Sequence, residues 1–268
     1  MRKALILVMV IENIKYTIVT VCYNERHKIE KTIESVIQQR YSNLEYLFID
    51  GASNDGTLEI IQHYAQKDKR IRVISEPDAG IYNAMNKAIS IAKGDYINFM
   101  NAGDSFAGVR ILDVIAKMLK KRYPDILCGK LKCINPDMLC KVADDFERSK
   151  KSTDFLRIEA AKKLSFKRIL LGKWAGHQAV FAKTNTLRQY YFNEKYKIAA
   201  DFDWFVRNVK NGSNIEYANI IVCNFVKDGI SNRCENLAIL DKELDNIIRS
   251  HYGIFMLCIR WLIKKQKH

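Results

Sequence analysis

Short apolar runs alternate with segments of helical periodicity along the first half of the chain, and this alternation constrains the fold more than any other feature. Runs of strand length occupy 16–22, 44–50, 71–75, 95–101 and 126–131. Between them, apolar residues recur at helical spacing within 25–40, 55–68, 81–92 and 112–119. Alternating strands and helices predict an α/β fold, with a mostly parallel central sheet and helices on both of its faces.

The composition is that of a globular protein with a substantial core. Of the 268 residues, 48% are apolar and 28% are charged, a balance that excludes an intrinsically disordered chain. The seven cysteines include no CxxC pair, so the sequence predicts neither a zinc site nor a disulfide framework. A reducing, cytoplasmic compartment follows as the expectation. Half of the formal net charge of +14 falls on residues 148–173, which predicts either a solvated basic face or a surface for an anionic partner.

Polar and acidic residues follow each of the first four predicted strands. These strand ends carry the sequences CYNE, IDGASNDGT, SEPDAG and MNAGD. Ligands of α/β sheets bind at the carboxyl ends of the strands, so a site is expected there. The chain has neither GxGxxG after a strand nor GxxxxGK[ST], which argues against a dinucleotide or P-loop phosphate site. A metal held by carboxylates is the common alternative for neutralising phosphate charge.

Four acidic residues at predicted element ends are candidates for that chemistry. Asp50 can accept hydrogen bonds from a base or ribose, or can bond to its own loop. Asp104 in MNAGD can bind Mg²⁺ or Mn²⁺, with Asn101 as a further oxygen ligand, or can belong to an ordinary turn. Asp201 and Asp203 lie at the mouth of a predicted helix, where one can cap the helix and the other can act as a base.

Six short segments occur in the order seen in glycosyltransferase family 2, whose fold is GT-A: TVCYNE, IDGASNDGT, EPDAGIYNAMNKA, MNAGD, HQAVF and AADFDW. The chain resembles the bacterial members that assemble capsule, exopolysaccharide and O-antigen. The resemblance covers residues 14–230. It implies a GT-A domain over 1–230, with a nucleotide-sugar half at about 14–131 and an acceptor half at about 132–230. C-terminal helices over 231–268 would form an extension.

The resemblance also implies roles for individual residues on the donor side. Tyr23 and Glu25 are expected to flank the nucleobase, and Asp50 to bind the base or ribose. Asp78 and Lys87 are expected near the donor.

On the metal and acceptor side, Asp104 matches the last acid of the family's metal motif, with Asn101 beside the donor. Asp201 matches the catalytic base. His177, Gln178 and Asp203 match positions on the acceptor or diphosphate side; for His177, an ordinary core histidine is the alternative. The usual metal motif has two acids where MNAGD has one, and Ala200 stands where an acid usually precedes the base.

The function implied is inverting transfer of a sugar from a nucleotide-diphosphate donor to a hydroxyl of a saccharide or lipid-linked saccharide, in surface polysaccharide biosynthesis. Two other classes stay open at this point. A sugar-nucleotide nucleotidyltransferase would share the nucleotide site, although CYNERHK lacks the Gly-rich triphosphate loop of such enzymes. A non-catalytic basic protein binding membrane or nucleic acid would explain the charge. Acids at successive strand ends repel phosphate, so nucleic acid is not an expected partner.

The ends of the chain bear on membrane binding. Residues 1–11 are basic and then apolar, but too few to span a bilayer, and Met9 is an alternative start site. The segment 254–263 is apolar apart from one arginine and is followed by lysines, which predicts either a packed final helix or an interfacial one. Residues 148–173 carry nine basic and two acidic side chains. These features predict a cytoplasmic protein that can bind peripherally to the anionic inner face of the cell membrane.

Overall fold

The computed structural model describes residues 13–134, 156–159, 165–226 and 234–265. The strands in this part of the chain are β1 (Tyr16–Cys22), β2 (Leu44–Asp50), β3 (Ile71–Ser75), β4 (Tyr96–Phe99), β5 (Ser105–Phe106), β6 (Ile126–Ile134), β7 (Leu156–Glu159), β8 (Val180–Lys183) and β9 (Ile215–Val226). The helices are α1 (Ile29–Ile37), α2 (Thr57–Lys67), α3 (Ile81–Ile91), α4 (Ile111–Arg122), α5 (Phe166–Leu170), α6 (Thr184–Gln189), α7 (Ala200–Lys210) and α8 (Cys234–Lys265), with a 3₁₀ turn at His177–Ala179.

All the described strands join one mixed sheet in the order β3-β2-β1-β4-β8-β6-β9-β5, with β7 paired to β6. The first four strands in this order are parallel to one another. Within this parallel half, Cys22 lies opposite Asp50, and Asp50 lies opposite Ser75. The polar sequences that follow β1, β2, β3 and β4 therefore meet along one edge, as the sequence predicts.

The second half of the sheet is attached through β8, which is antiparallel to both β4 and β6. At this seam, the Asn98 side-chain amide donates to the carbonyl oxygens of Gln178 (3.0 Å) and Val180 (2.9 Å). Asn98 is fully buried, so these bonds satisfy its two amide N–H groups, which would otherwise be left unpaired in the core. β4 is therefore fixed to the segment that immediately precedes β8.

Both faces of the sheet are covered, so the strands have apolar side chains on each side. Along β1, Ile18 packs into the core formed with α1, α2 and α4, whereas Val19 packs into the core formed with α3, α7 and α8. This alternation explains why β1 is an almost continuous apolar run without polar positions facing water. The predicted arrangement of a sheet between two helical layers is confirmed.

The element bounds agree best for the first three strands. β1, β2 and β3 coincide with the predicted runs, whereas β4 is shorter than the predicted 95–101 and β6 extends beyond 131. The first helix begins at Ile29 rather than near Glu25, because residues 25–28 form a turn in which the Glu25 carbonyl oxygen accepts from the N–H groups of Lys28 and Ile29.

The C-terminal helix α8 consists of two segments that meet at Gly253, whose backbone is non-helical (φ 82°, ψ 173°). Such a backbone conformation is open essentially to glycine alone. The first segment contributes Leu244, Ile247 and Ile248 to the core beside α3 and α7. Within the described residues, no helix has the length and apolar character needed to cross a membrane. The predicted N-terminal segment 1–11 and half of the basic run 148–173 lie outside the described residues.

Glu45 connects the amino ends of the parallel strands. Its carboxylate accepts from Thr17 Oγ1 of β1 (2.6 Å), from Arg72 Nη1 of β3 (3.0 Å) and from the Lys93 N–H before β4. Burial would raise the pKa of Glu45, but the hydrogen bonds from Thr17 and Lys93 and the Arg72 guanidinium hold it below its ordinary value.

We expect Glu45→Gln to lower the free energy of unfolding by about 1–3 kcal/mol at neutral pH, because the charge-assisted bonds weaken. The lowered pKa means that this stabilisation is present above the ordinary glutamate pKa and is lost as the pH falls through the folded-state value. Urea denaturation of both proteins at several pH values measures the difference between their free energies of unfolding, and this difference should become smaller in acid. A difference that is constant with pH would contradict the assignment.

Candidate active site

Asp50 ends β2 in a fully buried position and holds the loop that follows it. Its carboxylate accepts from Ser53 Oγ (2.5 Å), the Ser53 N–H (3.1 Å) and Ser75 Oγ (2.6 Å). These bonds fix the backbone of IDGAS against the end of β3. The structure thus shows that Asp50 holds the loop that follows it, whereas its contact with a base or ribose stays a prediction.

An exposed tyrosine and a carboxylate face each other across Gly51. A Cβ at Gly51 would lie 2.9 Å from Asp78 Oδ2 and 3.4 Å from the Tyr23 ring. The Tyr23 side chain is 60% exposed, and Asp78 is fixed by the Gly80 N–H, which donates to its Oδ1 (2.8 Å). The next residue, Ala52, has a positive φ of 60°, a strained conformation for alanine. The loops after β1, β2 and β3 thus place an aromatic ring and a carboxylate next to Gly51, and we call this group of loops the cleft.

Glu25 and Lys87 support this cleft from behind. Glu25 forms an ion pair with Lys28 (3.6 Å), and its N–H donates to Thr57 Oγ1 (2.8 Å). Lys87 pairs with Glu76 (2.7 Å) and donates to the Pro77 carbonyl oxygen (3.0 Å). Lys87 therefore ties α3 to the loop that carries Asp78. Direct contact of either side chain with a donor stays a prediction.

A chain of hydrogen bonds joins the end of β4 to the start of α7. Asn101 Nδ2–H donates to His177 Nε2 (2.9 Å), which leaves the ring proton on Nδ1 to donate to Asp201 Oδ2 (3.0 Å). Asp201 Oδ1 accepts from the Phe202 N–H (2.8 Å) and lies 3.3 Å from the Tyr82 hydroxyl. The fold brings Asn101, His177 and Asp201 together, although they are far apart in sequence.

This arrangement holds Asp201 firmly and still leaves it able to accept a proton. A carboxylate has about four acceptor positions, of which the bonds from His177 and Phe202 use two, since the Tyr82 hydroxyl proton goes to the Ile198 carbonyl oxygen. The Asp201 side chain is partly exposed. Burial, and then the nearby Asp201 charge, raise the pKa of Tyr82 well above its usual range, so Tyr82 stays a neutral donor. Its hydroxyl donates to the Ile198 carbonyl oxygen (2.6 Å), just before α7.

Asp104 is buried and connects the MNAGD loop to the second half of the sheet. Its Oδ1 accepts from the Val226 N–H (2.9 Å) and its Oδ2 from Gln178 Nε2 (3.0 Å). Thr32 Oγ1 donates to the Asp104 carbonyl oxygen (2.8 Å). Asp104 and Gln178 therefore both have structural partners in this fold.

The same loop has one buried oxygen without a hydrogen-bond partner, Oδ1 of Asn101. Among the residues that the structure describes, no group of three or more His, Cys, Asp or Glu side chains could hold a metal ion. Mg²⁺ sites in phosphate-transferring proteins use one or two protein oxygens and are completed by phosphates and water. The Asn101 oxygen and the Asp104 carboxylate fit that kind of site, and do not fit an all-protein metal site.

The structure does not bring Asp203 to this group, which corrects its placement on the acceptor side. Asp203 is buried, and accepts from Arg207 Nε (2.9 Å) and His251 Nε2 (2.8 Å). The reason is helical geometry, because residues two apart on a helix face nearly opposite directions. Asp201 faces His177, so Asp203 faces α8.

Two further residues position the site, and sequence reasoning missed both. Tyr82 lies four residues after Asp78 in the quoted EPDAGIYN segment, which is the signal that could have found it. Glu243 of α8 accepts from three consecutive N–H groups immediately before α7, those of Lys197 (2.7 Å), Ile198 (3.0 Å) and Ala199 (2.9 Å). Nothing in the sequence around Glu243 indicates this role, because its partners are distant in the chain.

Comparison with known families decides among the classes that the sequence left open. The model of the family described as Glycosyl transferase family 2 matches residues 17–189. The chain belongs to this family. It is thus a glycosyltransferase, and the nucleotidyltransferase and non-catalytic alternatives are set aside.

Members of glycosyl transferase family 2 with similar sequences come from archaea and bacteria. The chain is 28% identical over 256 residues to an uncharacterized glycosyltransferase of Methanocaldococcus jannaschii, covering 94% of this chain and 80% of the relative. It is 26% identical over 240 residues to the chondroitin synthase of Pasteurella multocida, covering 87% of this chain and 22% of that enzyme. The predicted similarity to bacterial polysaccharide-synthesising enzymes is confirmed.

Solved structures confirm the GT-A fold. S. aureus TarS 1–349 in complex with UDP-GlcNAc matches with a TM-score of 0.66 at 17% identity, over 90% of this chain and 69% of that one. The mannosyltransferase PcManGT from Pyrobaculum calidifontis, in complex with GDP-Man and Mn²⁺, matches with a TM-score of 0.61 at 18% identity, over 89% and 64%.

The buried bonds of Asp104 predict a stability effect that is independent of any ligand. Asp104→Ala should lower the free energy of unfolding by at least about 2 kcal/mol, because the buried Val226 N–H and Gln178 amide lose their acceptor. Asp104→Asn, which retains one carbonyl oxygen, is the matched control and should lose less. Chemical denaturation measures both variants. An alanine variant as stable as the wild type would show that these bonds do not support the fold.

Proposed function

We propose that this enzyme transfers a sugar from a UDP-sugar to a hydroxyl of a saccharide acceptor, with inversion at the anomeric carbon. The observation that carries the proposal is Asp201, a carboxylate held on both oxygens at the mouth of α7 and still able to accept a further hydrogen bond. The UDP donor is supported by S. aureus TarS, which shares the fold and has been solved with UDP-GlcNAc. The acceptor class is supported by the similarity to chondroitin synthase.

The proposed reaction is a single displacement. The acceptor hydroxyl oxygen attacks the anomeric carbon while its proton moves to the free position of the Asp201 carboxylate. The bond from the anomeric carbon to the diphosphate oxygen breaks, and its electron pair leaves with the nucleoside diphosphate. His177 keeps the carboxylate in place by donating to Oδ2, and is a positioning residue in this scheme. One displacement on a fixed donor inverts the configuration.

The donor base is assigned to the cleft between Tyr23 and Asp78. Gly51 leaves that cleft open, because any side chain there would meet the Asp78 carboxylate. The Tyr23 ring offers a face for stacking, and the Asp78 carboxylate accepts hydrogen bonds from base N–H groups. Asp50 holds the loop that forms the floor of the cleft. Tyr82 links this cleft to Asp201, since α3 begins directly after the Asp78 loop and carries Tyr82 in its first turn.

A divalent cation, Mg²⁺ or Mn²⁺, is proposed at the MNAGD loop. Asn101 Oδ1 and Asp104 would hold it together with the donor diphosphate, and when bound it would offset the charge on the leaving group. The PcManGT complex with Mn²⁺ supports this part of the proposal.

His177 and Gln178 would line the acceptor or diphosphate side. A lipid-linked saccharide in surface polysaccharide assembly is the acceptor proposed, which would place the reaction at the inner face of the cell membrane.

The proposal is tested by incubating the purified protein with a panel of nucleotide sugars and measuring the nucleoside diphosphate released, with and without saccharide acceptors. Release from a UDP-sugar that an acceptor stimulates is the expected result. Turnover of GDP-sugars alone would overturn the donor assignment. Retention of the anomeric configuration in the product would overturn the single displacement.

Asp201→Asn should keep donor affinity but lower the transfer rate by about 10²-fold or more, since the general base is removed. Asp203→Asn is the matched control on the same helix, and should lower thermal stability without a comparable loss of transfer by the folded protein. Donor binding is measured by calorimetry, and transfer by product formation. Near wild-type transfer by Asp201→Asn would show that another group accepts the proton.

Removal of divalent cations with EDTA should abolish transfer by the wild type, and Mn²⁺ or Mg²⁺ should restore it. Asp104→Asn should weaken the restoration, since it replaces a charged oxygen ligand with a neutral one. Because the asparagine variant keeps an acceptor for Val226, its melting temperature serves as the control for folding. An EDTA-treated enzyme with an unchanged rate would exclude the cation.

A further inference from the structure

The second segment of α8, residues 254–265, packs Leu257 into the core and turns a second apolar face outward. Ile254, Phe255, Trp261 and Leu262 are 65%, 70%, 49% and 62% exposed. With the exposed Cys258 they occupy positions i, i+1, i+4, i+7 and i+8, which is one continuous helix face. We call this set the outer face. A helix on the surface of a globular protein ordinarily turns such a face toward the core.

The inward side of the same segment carries its arginine. Arg260 is only 2% exposed, and donates to Asp245 Oδ1 (2.6 Å), Asp241 Oδ1 (2.7 Å) and the Leu170 carbonyl oxygen (2.6 Å). Lys264 also binds Asp241, and the Trp261 indole N–H donates to Asp245 Oδ2 (2.8 Å). These bonds hold the second segment of α8 against the first, on the other side of Gly253. The outward orientation is therefore built into the fold.

Cationic side chains stand at both ends of the outer face. At its start, Phe166 packs edge-on against Tyr252 (5.3 Å between ring centroids), and is itself partly exposed next to the exposed Lys167. Lys210 Nζ lies 5.6 Å from the Tyr252 ring centroid. At its far end is the exposed Lys265. Residues 165–174 contain no acid, and Asp241 and Asp245 are already paired.

We infer that the outer face of α8 docks this protein on an anionic lipid bilayer. An apolar stripe with Trp, Phe and Leu between lysines is the pattern of a helix lying in the membrane interface. The cations at its ends match the anionic headgroups, each contributing to binding near the surface. A second copy of this chain fits less well, because a two-fold contact would bring together two proteins that each carry a net charge of +14.

The inference extends the proposed function, in which the acceptor is lipid-linked, but its test does not depend on that acceptor. Vesicle binding needs neither donor nor acceptor, so a failure to bind would leave the proposed transfer reaction standing. In turn, absence of transferase activity would not alter the partition onto vesicles.

The experiment is cosedimentation of the full chain with vesicles of phosphatidylcholine alone, or of phosphatidylcholine with phosphatidylglycerol. The wild type should bind the anionic vesicles selectively. The Phe255→Ser/Leu262→Ser variant should bind the anionic vesicles at least about tenfold more weakly than the wild type, because it loses apolar surface from the interface but no charge. Binding should fall between about 0.1 M and 1 M salt, as the Debye length shortens from about 10 Å to about 3 Å.

The matched control is Val109→Ser/Val114→Ser. Both valines are exposed: Val109 precedes α4 and Val114 lies within it, and α4 packs on the opposite side of the sheet from α8. This control should bind like the wild type, and all three proteins should release nucleoside diphosphate equally in the absence of vesicles.

Four outcomes would overturn the inference. These are equal binding to neutral and anionic vesicles, no binding to either, and binding that the Phe255→Ser/Leu262→Ser change leaves intact. The fourth is a lower melting temperature for that variant but not for the valine control, which would mean that another part of the chain covers the face. A dimer in solution that the same change dissociates, without vesicle binding, would assign the face to a second copy.

Discussion

The parallel pairing of β1 with β2 and β4 is the constraint on which the rest of this structure depends. Both β1 and β2 are buried along their whole length, so a one-residue slip would exchange the side chains packed against the two helical layers. The correct register ends β1 beside Asp50 and places Asp50 beside Ser75. The loops that form the proposed donor cleft all begin at this row of strand ends. The positions of Tyr23 and Asp78 follow from it, because each lies within a few residues of a strand end.

The candidate active site lies where the two halves of the domain meet. Asn101 and Tyr82 come from the parallel half, whereas His177 and Asp201 come from the segments around β8 and before β9. The amide of Asn98 and the carboxylate of Asp104 fix these halves to each other within a few residues of the site. A displacement at this seam would therefore move Asp201 relative to the loops that follow the parallel strands. Misplacement of a reacting group by about 1 Å can cost two orders of magnitude in rate.

The C-terminal helices belong to the site as much as to the surface. Glu243 caps the backbone before α7, and His251 pairs with Asp203 one turn into that helix. The helix that carries Asp201 is thus held by α8. The second segment of α8 in turn is fixed to the first by Arg260 and presents its apolar face outward. A protein docked through that face would hold Asp201 at a set distance from the bilayer, because α8 would contact both the bilayer and the helix that carries Asp201.

The alternation of elements, the bounds of the first three strands and the residues that gather at the carboxyl edge can be predicted from the sequence alone. These are local properties, because side-chain periodicity and turn chemistry act over a few residues. Motifs in the sequence also point to Asp201 and His177. The fold was needed to show which carboxylate of the DFD pair faces His177, that Asp104 and Lys87 have structural partners, and that Glu243 and Tyr82 hold the segment around Asp201. It alone decided that the last helix turns its apolar face outward. Each of these depends on contacts between residues distant in the chain, and such contacts exist only once the sheet register and the helix packing are set.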